Sequence, residues 1–445
     1  MFRKVLVANR GAIARRVIRA CHELRLESVA VYSDADAGAP YLAEASEALN
    51  LPGERAADTY LNVEALLAAA DAAGADALHP GYGFLAESGS FARAVAAAGL
   101  CFIGPDARWL ETMGDKVAAR ALAGEHGFPV FAGSDRLSGA EAAQAAAEVV
   151  GFPLMLKPAA GGGGIGMRVV EGPEALAGAV NQAGALAMAA FGDDGLFLER
   201  WIEAGRHIEF QLLGDGRGNA LHLHERECSV QRRHQKVIEE SPAPGIERSE
   251  LEGLADRASA FAAALGYDNV GTLETLRAGA DDYGFLEMNT RIQVEHGVTE
   301  LVTGVDLVAA QLKLAAGGAL PAPTPLKGHA LEVRVYAEQP RSQLPSTGRL
   351  SVFRPPALHG VRIETGYQAG QWVTPHYDPL LAKVLGHGIT REQAIGRVLV
   401  ALKAFVIEGV ETNIPLLSAV LGDADFLAGH VDTGYLARFL ANWQD

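Results

Sequence analysis

The chain has 445 residues, about three times the usual domain, with 49% hydrophobic and 21% charged residues, so an elaborated enzyme with several cores is expected. No apolar run approaches the roughly 18 residues of a membrane helix, and the short run Val5 to Ala8 is no signal segment, so the expectation is no membrane and a cytoplasmic location. A net charge of -16 argues against a general nucleic-acid binder, because phosphate backbones are gripped by clustered Lys and Arg.

Residues 4–33 read as strand, helix, strand: KVLVA is apolar, ARRVIRACHEL carries apolar residues at helical spacing, and SVAVY is β-branched. The turn between the first strand and helix, ANRGAIA, has a single glycine and lacks the spacing that a dinucleotide pyrophosphate requires. An Ala-rich helix at 63–73, a strand Ala77 to His79, a helix at 89–98 and the strand CFIG continue the alternation, so residues 1–113 read as a parallel α/β domain. From about 130 to 201 come an Ala-rich helix, the strand FPLMLKP, a glycine tract, the strand GMRVV, another Ala-rich helix and LFLER, which read as a lid. Beyond 202 polar and apolar residues alternate cleanly, as in HIEFQL at 207–212, the pattern of antiparallel sheet. The proline-rich ALPAPTPLKG at 319–328 reads as a connection to further strands and two closing helices. Cys21, Cys101 and Cys228 are odd in number and far apart, which fits small buried hydrophobes rather than disulfides or zinc.

Gly161 to Gly164 followed by Ile165 and Gly166 lies between two strand-like runs and reads either as a flexible turn or as a phosphate cover. Lys157, four residues upstream on the same hairpin, tilts the reading toward phosphate. VGTLETL and YGFLEMN, separated by the turn-forming AGADDYG, predict a hairpin that sets Glu274 opposite Glu287. Opposed carboxylates repel unless a cation bridges them, and hard oxygen ligands suit magnesium. If the second strand runs on, Asn289, Arg291, Gln293 and Glu295 share a face with Glu287, while Met288, Ile292 and Val294 turn away. A half-exposed strand with a solvated polar side is the plainer alternative.

The blocks HPGYGFLAES (79–88), MGDK (113–116), KPAAGGGGIGMRVV (157–170), ERECSVQRRHQKVIEESPAP (225–244), LEMNTRIQVEHGVTE (286–300) and EVRVYAEQP (332–340) resemble the biotin carboxylase family. They stand in the family's order and cover essentially the whole chain. The resemblance implies a mixed α/β and α+β fold: an N-terminal α/β domain (1–113), an ATP-grasp region (114–318) with a mobile lid at about 130–201, and a C-terminal biotin carboxylase domain (326–445). It also implies carboxylation of biotin with ATP and bicarbonate.

Carried over by motif, Lys116, Lys157, Gly163, Gly164, Glu199, Arg200, Trp201, Ile202, His207, Gln231, His234, Leu276 and Glu287 would contact ATP. Glu274, Glu287 and Asn289 would hold Mg2+ or Mn2+. Bicarbonate would sit near Lys236, Arg291, Gln293 and Val294, with Glu295 as its base, and Arg334 and Tyr82 would meet biotin. Glu295, Arg291, Lys236 and Arg334 would be the catalytic set. The implied partners are a biotin carboxyl carrier protein, a carboxyltransferase and a second copy of the chain, with Arg19, Glu23 and Arg362 at positions resembling the family's dimer interface and His359 standing where an aromatic can occur. No Met-Lys-Met biotinylation motif occurs, so the carrier and carboxyltransferase are expected either on separate chains or on parts cut away from this one, and the final carboxyl acceptor is left open. Ile165, Pro158 and Gly297 depart from residues common in the family. The alternatives are an ATP-grasp ligase that activates another carboxylate and a non-catalytic subunit, the latter disfavoured because Lys236, Glu274, Glu287, Arg291 and Glu295 are all kept.

Overall fold

The N-terminal βαβ alternation closes into a five-stranded parallel sheet in a computed structural model that describes residues 2–161 and 164–443. Its strand order is Glu47–Leu51, Glu27–Ser33, Lys4–Val7, Ala77–His79, Cys101–Phe102. Val5, Leu6 and Val7 at its centre are wholly buried, because helices cover both faces of a parallel sheet. The edge strand Glu47–Leu51 was not expected: its polar alternate residues and lone buried Leu51 give a weak strand signal.

The lid-like segment is a three-stranded antiparallel sheet, Leu154–Pro158 between Arg168–Val170 and Leu196–Arg200. Helices Ala140–Val150 and Pro173–Phe191 cover it. Their buried faces are mostly alanine (Ala143, Ala147, Ala179, Ala183, Ala187), so they bury little apolar area of their own and sit close to the sheet. Pro158 packs beneath Gly166, whose added Cβ would lie 3.0 Å from Pro158 Cγ, and Ile165 is half exposed above.

The antiparallel segment forms one eight-stranded sheet in the order Asp282–Asn289, Asp268–Gly279, Arg206–Asp215, Ala220–Arg232, Gln235–Ser241, His329–Tyr336, Leu380–Gly388, Val361–Glu364. It runs straight across the proline-rich connection, because Ile238 to Ser241 pair with Ala330 to Val333. Helix Arg248–Leu265, ended by Gly266 in a left-handed conformation, packs against one face through Leu251, Leu254, Ala258 and Phe261. Helix His296–Thr303 lies over the other face, where Thr299 accepts a hydrogen bond from Arg226. Among the described residues no helix is long and apolar enough to cross a membrane, and the three cysteines are unpaired.

The lone glycine of the first strand-to-helix turn, Gly11, has φ of 66° and touches Gly366 rather than opening toward a pyrophosphate. A Cβ on Gly366 would lie 2.3 Å from Gly11 Cα, backbone against backbone. Gly366→Ala is therefore expected to cost about 1–3 kcal/mol by overpacking, read as a lower denaturant midpoint with an unchanged m-value.

Candidate functional site

Strand alternation builds the site. On Arg206–Asp215 the side chains of Ile208, Phe210 and Leu212 enter the core beneath helix Arg248–Leu265, which turns His207, Glu209 and Gln211 to the opposite face. The adjacent strand sets Glu274 beside Glu209 and Leu276 beside His207. Its hairpin turns at Ala280 and Asp281 and pairs Glu274 with Glu287, as the turn signal predicted.

The strand expected to run on to Glu295 stops at Asn289, and residues 290–295 form a loop into helix His296–Thr303. Asn289, Arg291, Gln293 and Glu295 still line one cleft, with Met288 and Ile292 buried away from it. Val294 lines the cleft too, against the alternation, because no ladder enforces period two once the strand ends. Its carbonyl accepts a hydrogen bond from Lys383 Nζ at 2.5 Å. The cleft has a volume of about 760 Å3 and also receives Tyr82, His207, His234, Lys236, Glu274, Glu287 and Arg334.

Lys236 is the hub. Its ammonium donates to Glu274 Oε1 at 2.7 Å, to Glu295 Oε1 at 2.6 Å and to Glu209. Burial alone would lower the lysine, but the three carboxylates hold it well above its ordinary value. Burial likewise opposes charge on Glu274 and Glu295, yet Lys236 with His207 holds Glu274 well below the carboxylate range, and Lys236 with Arg334 lowers Glu295. Arg334 donates to Glu295 Oε2 at 3.0 Å, and Arg291 reaches Gln293 and Asn289, both at 2.8 Å. The cleft therefore offers cations around a carboxylate that is ionised throughout the physiological pH range.

The expected nucleotide residues gather under the lid in pairs. Lys116 bonds Glu287, and Lys157 bonds Glu199. His207 Nε2 stands 3.0 Å from Glu274 Oε2, and its Nδ1 is paired with the Gln231 amide at 2.8 Å. Leu276 packs on Gly205, where a Cβ would sit 2.6 Å from Leu276 Cγ. Ile202 is buried where the chain leaves the lid, Trp201 is half-buried beside it, and Arg200 turns away to Asp282 at 3.3 Å. Arg233 and His234 form a two-residue hairpin turn with φ of 47° and 65°, a left-handed conformation rare for such residues. That turn holds His234 against the glycine loop: a Cβ on Gly164 would lie 2.7 Å from His234 Cδ2, so only glycine permits the approach. Gly163 lies outside the described residues. Burial, then Lys157, lowers His234 and keeps it neutral.

The donor chemistry fits a hard divalent cation. Glu274 and Glu287 are opposed in register and reach the same cleft, each now neutralised by a lysine. Among the described residues His207, Glu209 and Glu274 already converge within ligand distance of one another, and Asn289 lies beside them, its amide donating to Glu274 Oε1 at 2.9 Å.

Sequence reasoning missed four participants. Glu209 shares its face with His207 by the alternation already seen in HIEFQL, which is the signal that could have found it. Arg226, fully buried, bonds Glu209, Gln211, Thr272 and Thr299 and gave no sign of this in sequence. Glu87, inside the HPGYGFLAES block, accepts from Arg291 Nε at 2.9 Å. Arg10, clamped by Asp36 at 2.7 Å and stacked 4.2 Å over Tyr377, closes the outer end of the cleft.

Family models match the chain over almost all of its length: "Biotin carboxylase, N-terminal domain" at residues 1–110, "Carbamoyl-phosphate synthase L chain, ATP binding domain" at 115–322 and "Biotin carboxylase C-terminal domain" at 332–438. The biotin carboxylase of Halalkalibacterium halodurans is 46% identical over 444 residues, 99% of this chain and 98% of that protein. A Campylobacter jejuni biotin carboxylase in a β,γ-ATP complex superposes with a TM-score of 0.96 at 42% identity, covering 98% of this chain and 99% of that one. The biotin carboxylase domain dimer of Hydrogenobacter thermophilus 2-oxoglutarate carboxylase, solved with MgADP, ADP and bicarbonate, gives 0.96 at 41% identity over 100% of both chains. A lysine hub between three carboxylates, under a glycine-rich lid, thus sits on a chain matched end to end, and the chain belongs to the biotin carboxylase family.

Proposed function

We propose that this chain carboxylates carrier-bound biotin with ATP and bicarbonate, as the first half-reaction of a biotin-dependent carboxylase. The observation that carries the reading is Lys236 bridging Glu274 and Glu295 in a cleft that also holds Arg291, Gln293 and Arg334. Such a pocket both binds a small anion and removes its proton.

Bicarbonate sits against Lys236, Arg291, Gln293 and the Val294 backbone. Glu295 takes its proton, and the oxygen freed attacks the γ-phosphorus of ATP as the bond to ADP breaks. The carboxyphosphate so formed splits into carbon dioxide and phosphate. Phosphate takes the proton from the ureido nitrogen of biotin, and that nitrogen attacks carbon dioxide while Arg334 stabilises the enolate oxygen and Tyr82 lines the biotin end. Glu295 is too acidic a partner while it is shared between Lys236 and Arg334. Bicarbonate that competes for Lys236 raises its basicity at the moment the base is needed.

Glu274 and Glu287, with Asn289 beside them, would hold Mg2+ or Mn2+, which supplies charge neutralisation on the phosphates. Lys116, Lys157, the Gly164 loop, Glu199 to Ile202, His207, Gln231, His234 and Leu276 form the nucleotide side. A biotin carboxyl carrier and a carboxyltransferase, as subunits or domains, are the partners, and the working form is a cytoplasmic homodimer, Arg19 and Arg362 converging on Glu364. ADP release measured with and without bicarbonate and free biotin tests the reading: ATP turnover should need bicarbonate and rise with biotin, and a rate indifferent to biotin would sink it.

A further inference from the structure

Beside Arg334, two glutamates face each other across adjacent strands. Glu239 and Glu332 are direct cross-strand partners on adjacent antiparallel strands, and both are 0% exposed. Side chains so paired share one face with Cβ atoms about 5 Å apart, a poor place for two anions. Arg334 Nη2 is 2.6 Å from Glu239 Oε1, and Lys383 Nζ, at 3.6 Å from Glu332 Oε2, is beyond hydrogen-bonding distance. Among the described residues none of the four carboxyl oxygens has a hydrogen-bond partner.

Each cation beside the pair is shared with another buried carboxylate. Arg334 is divided between Glu239 and Glu295, and Lys383 between Glu332 and Glu364. Neither glutamate of the facing pair therefore has a cation to itself. Lys236 and Arg362 add positive charge at Glu295 and Glu364, but neither forms an ion pair with Glu239 or Glu332. The start of helix His296–Thr303 also faces Glu332, since a Cβ on Gly297 would lie 3.3 Å from its Oε2, and Tyr82 and Tyr336 border the same charges. One helix end does not replace a missing cation. An unpaired buried carboxylate is relieved most cheaply by taking up a proton, and two facing carboxylates take up one between them.

We propose that Glu239 and Glu332 share one proton and act as a positioning pair that sets how far Arg334 extends toward biotin. The role rests on the biotin carboxylase reading, but the proton itself does not. Burial raises Glu239 to about 7 against the opposing Arg334, with Glu295 adding to the rise. Burial raises Glu332 to about 8 against Lys383, with Glu239 adding. With the proton in place the pair carries one negative charge, and Arg334 remains free to serve Glu295 and the cleft. Loss of the proton at higher pH adds a second negative charge beside Arg334 Nη2 and draws it from Glu295 toward Glu239.

Both groups are raised in the folded state, so the native protein binds the proton more tightly than the unfolded chain. The pair's contribution to stability is full below the unfolded glutamate range and is lost as pH rises through about 7 to 8. In Glu332→Gln the amide imitates the protonated acid. The carbonyl stretch of a protonated carboxyl, present in infrared spectra of the wild type at pH 7, should disappear. The melting temperature of the variant relative to wild type should climb between pH 6 and 9. The alkaline fall of biotin-dependent kcat/KM should move to higher pH with KM for ATP unchanged. Glu239→Gln, which serves the infrared and melting tests should the first variant fold poorly, should also lower kcat about tenfold, the scale of one lost charged contact. A wild type without a protonated-carboxyl band, or a melting difference that is flat with pH, overturns the proposal. Neither readout depends on carboxylase activity, so a failure of the functional reading appears separately as ATP turnover that ignores biotin.

Discussion

Glu295→Gln is expected to cut bicarbonate-dependent ATP turnover by about 10^2 to 10^4, the range of a lost general base, while leaving the protein folded. The side chain is 1% exposed and fixed by Lys236 at 2.6 Å and Arg334 at 3.0 Å, so its amide analogue fits the same space with one charge fewer. Lys236 keeps Glu209 and Glu274, so the hub does not collapse. Nucleotide and metal binding rest on other residues, so the equilibrium affinity for MgADP should stay within a few-fold of wild type. A large fall in kcat with an unchanged dissociation constant for MgADP identifies a group acting on bicarbonate, and equal losses in both refute it. Because Glu295 is depressed, its stabilising contribution is present above the ordinary glutamate range and is lost only as pH falls well below it. The wild-type kcat/KM for bicarbonate near pH 6, which reports the free enzyme, should therefore show no limb from this carboxylate.

The opposed pair Glu274 and Glu287 was readable from sequence because a hairpin register depends only on local turn chemistry and period two. The helix at Val63–Ala73 and the strand Ala77–His79 were readable for the same local reason. The binding blocks, by contrast, became a site only through the family resemblance, since nothing in QRRHQK says that Lys236 meets Glu209, Glu274 and Glu295 from two other strands and a loop. Arg226 shows the limit. It is 0% exposed, satisfied by partners 15 to 73 residues away, and no one-dimensional pattern marks a buried arginine of that kind. The continuation of the eight-stranded sheet beyond the proline-rich connection was hidden too, because strand pairing between Gln235–Ser241 and His329–Tyr336 joins segments separated by three helices and a hairpin. Glu239 and Glu332 are invisible for that reason: each sits in an ordinary strand, and only the pairing makes them a problem.

Lys236→Met should be the most damaging single change. It leaves Glu209, Glu274 and Glu295, exposed by 0%, 6% and 1%, around an uncharged chain of similar length. Removing one partner of a buried ion cluster costs about 3–5 kcal/mol, because the remaining charges keep their desolvation penalty and lose their compensation. The loss must depend on pH. In the wild type Glu274 and Glu295 are depressed, so their stabilisation is present above the ordinary glutamate range and vanishes only in strong acid. Without the ammonium the same carboxylates rise, the folded variant binds protons more tightly than its unfolded chain, and its stability declines as pH increases. Denaturant titrations should then find the variant far below wild type at pH 8 and closer to it at pH 5; a gap independent of pH would mean that the lysine acts by packing alone. Lys236→Arg separates charge from geometry. An ammonium offers three donors in three directions, matching three carboxylates, whereas a planar guanidinium cannot address all of them from the same position. The arginine variant should therefore recover much of the stability at pH 8 and little of the turnover, since bicarbonate needs the place where the ammonium now points.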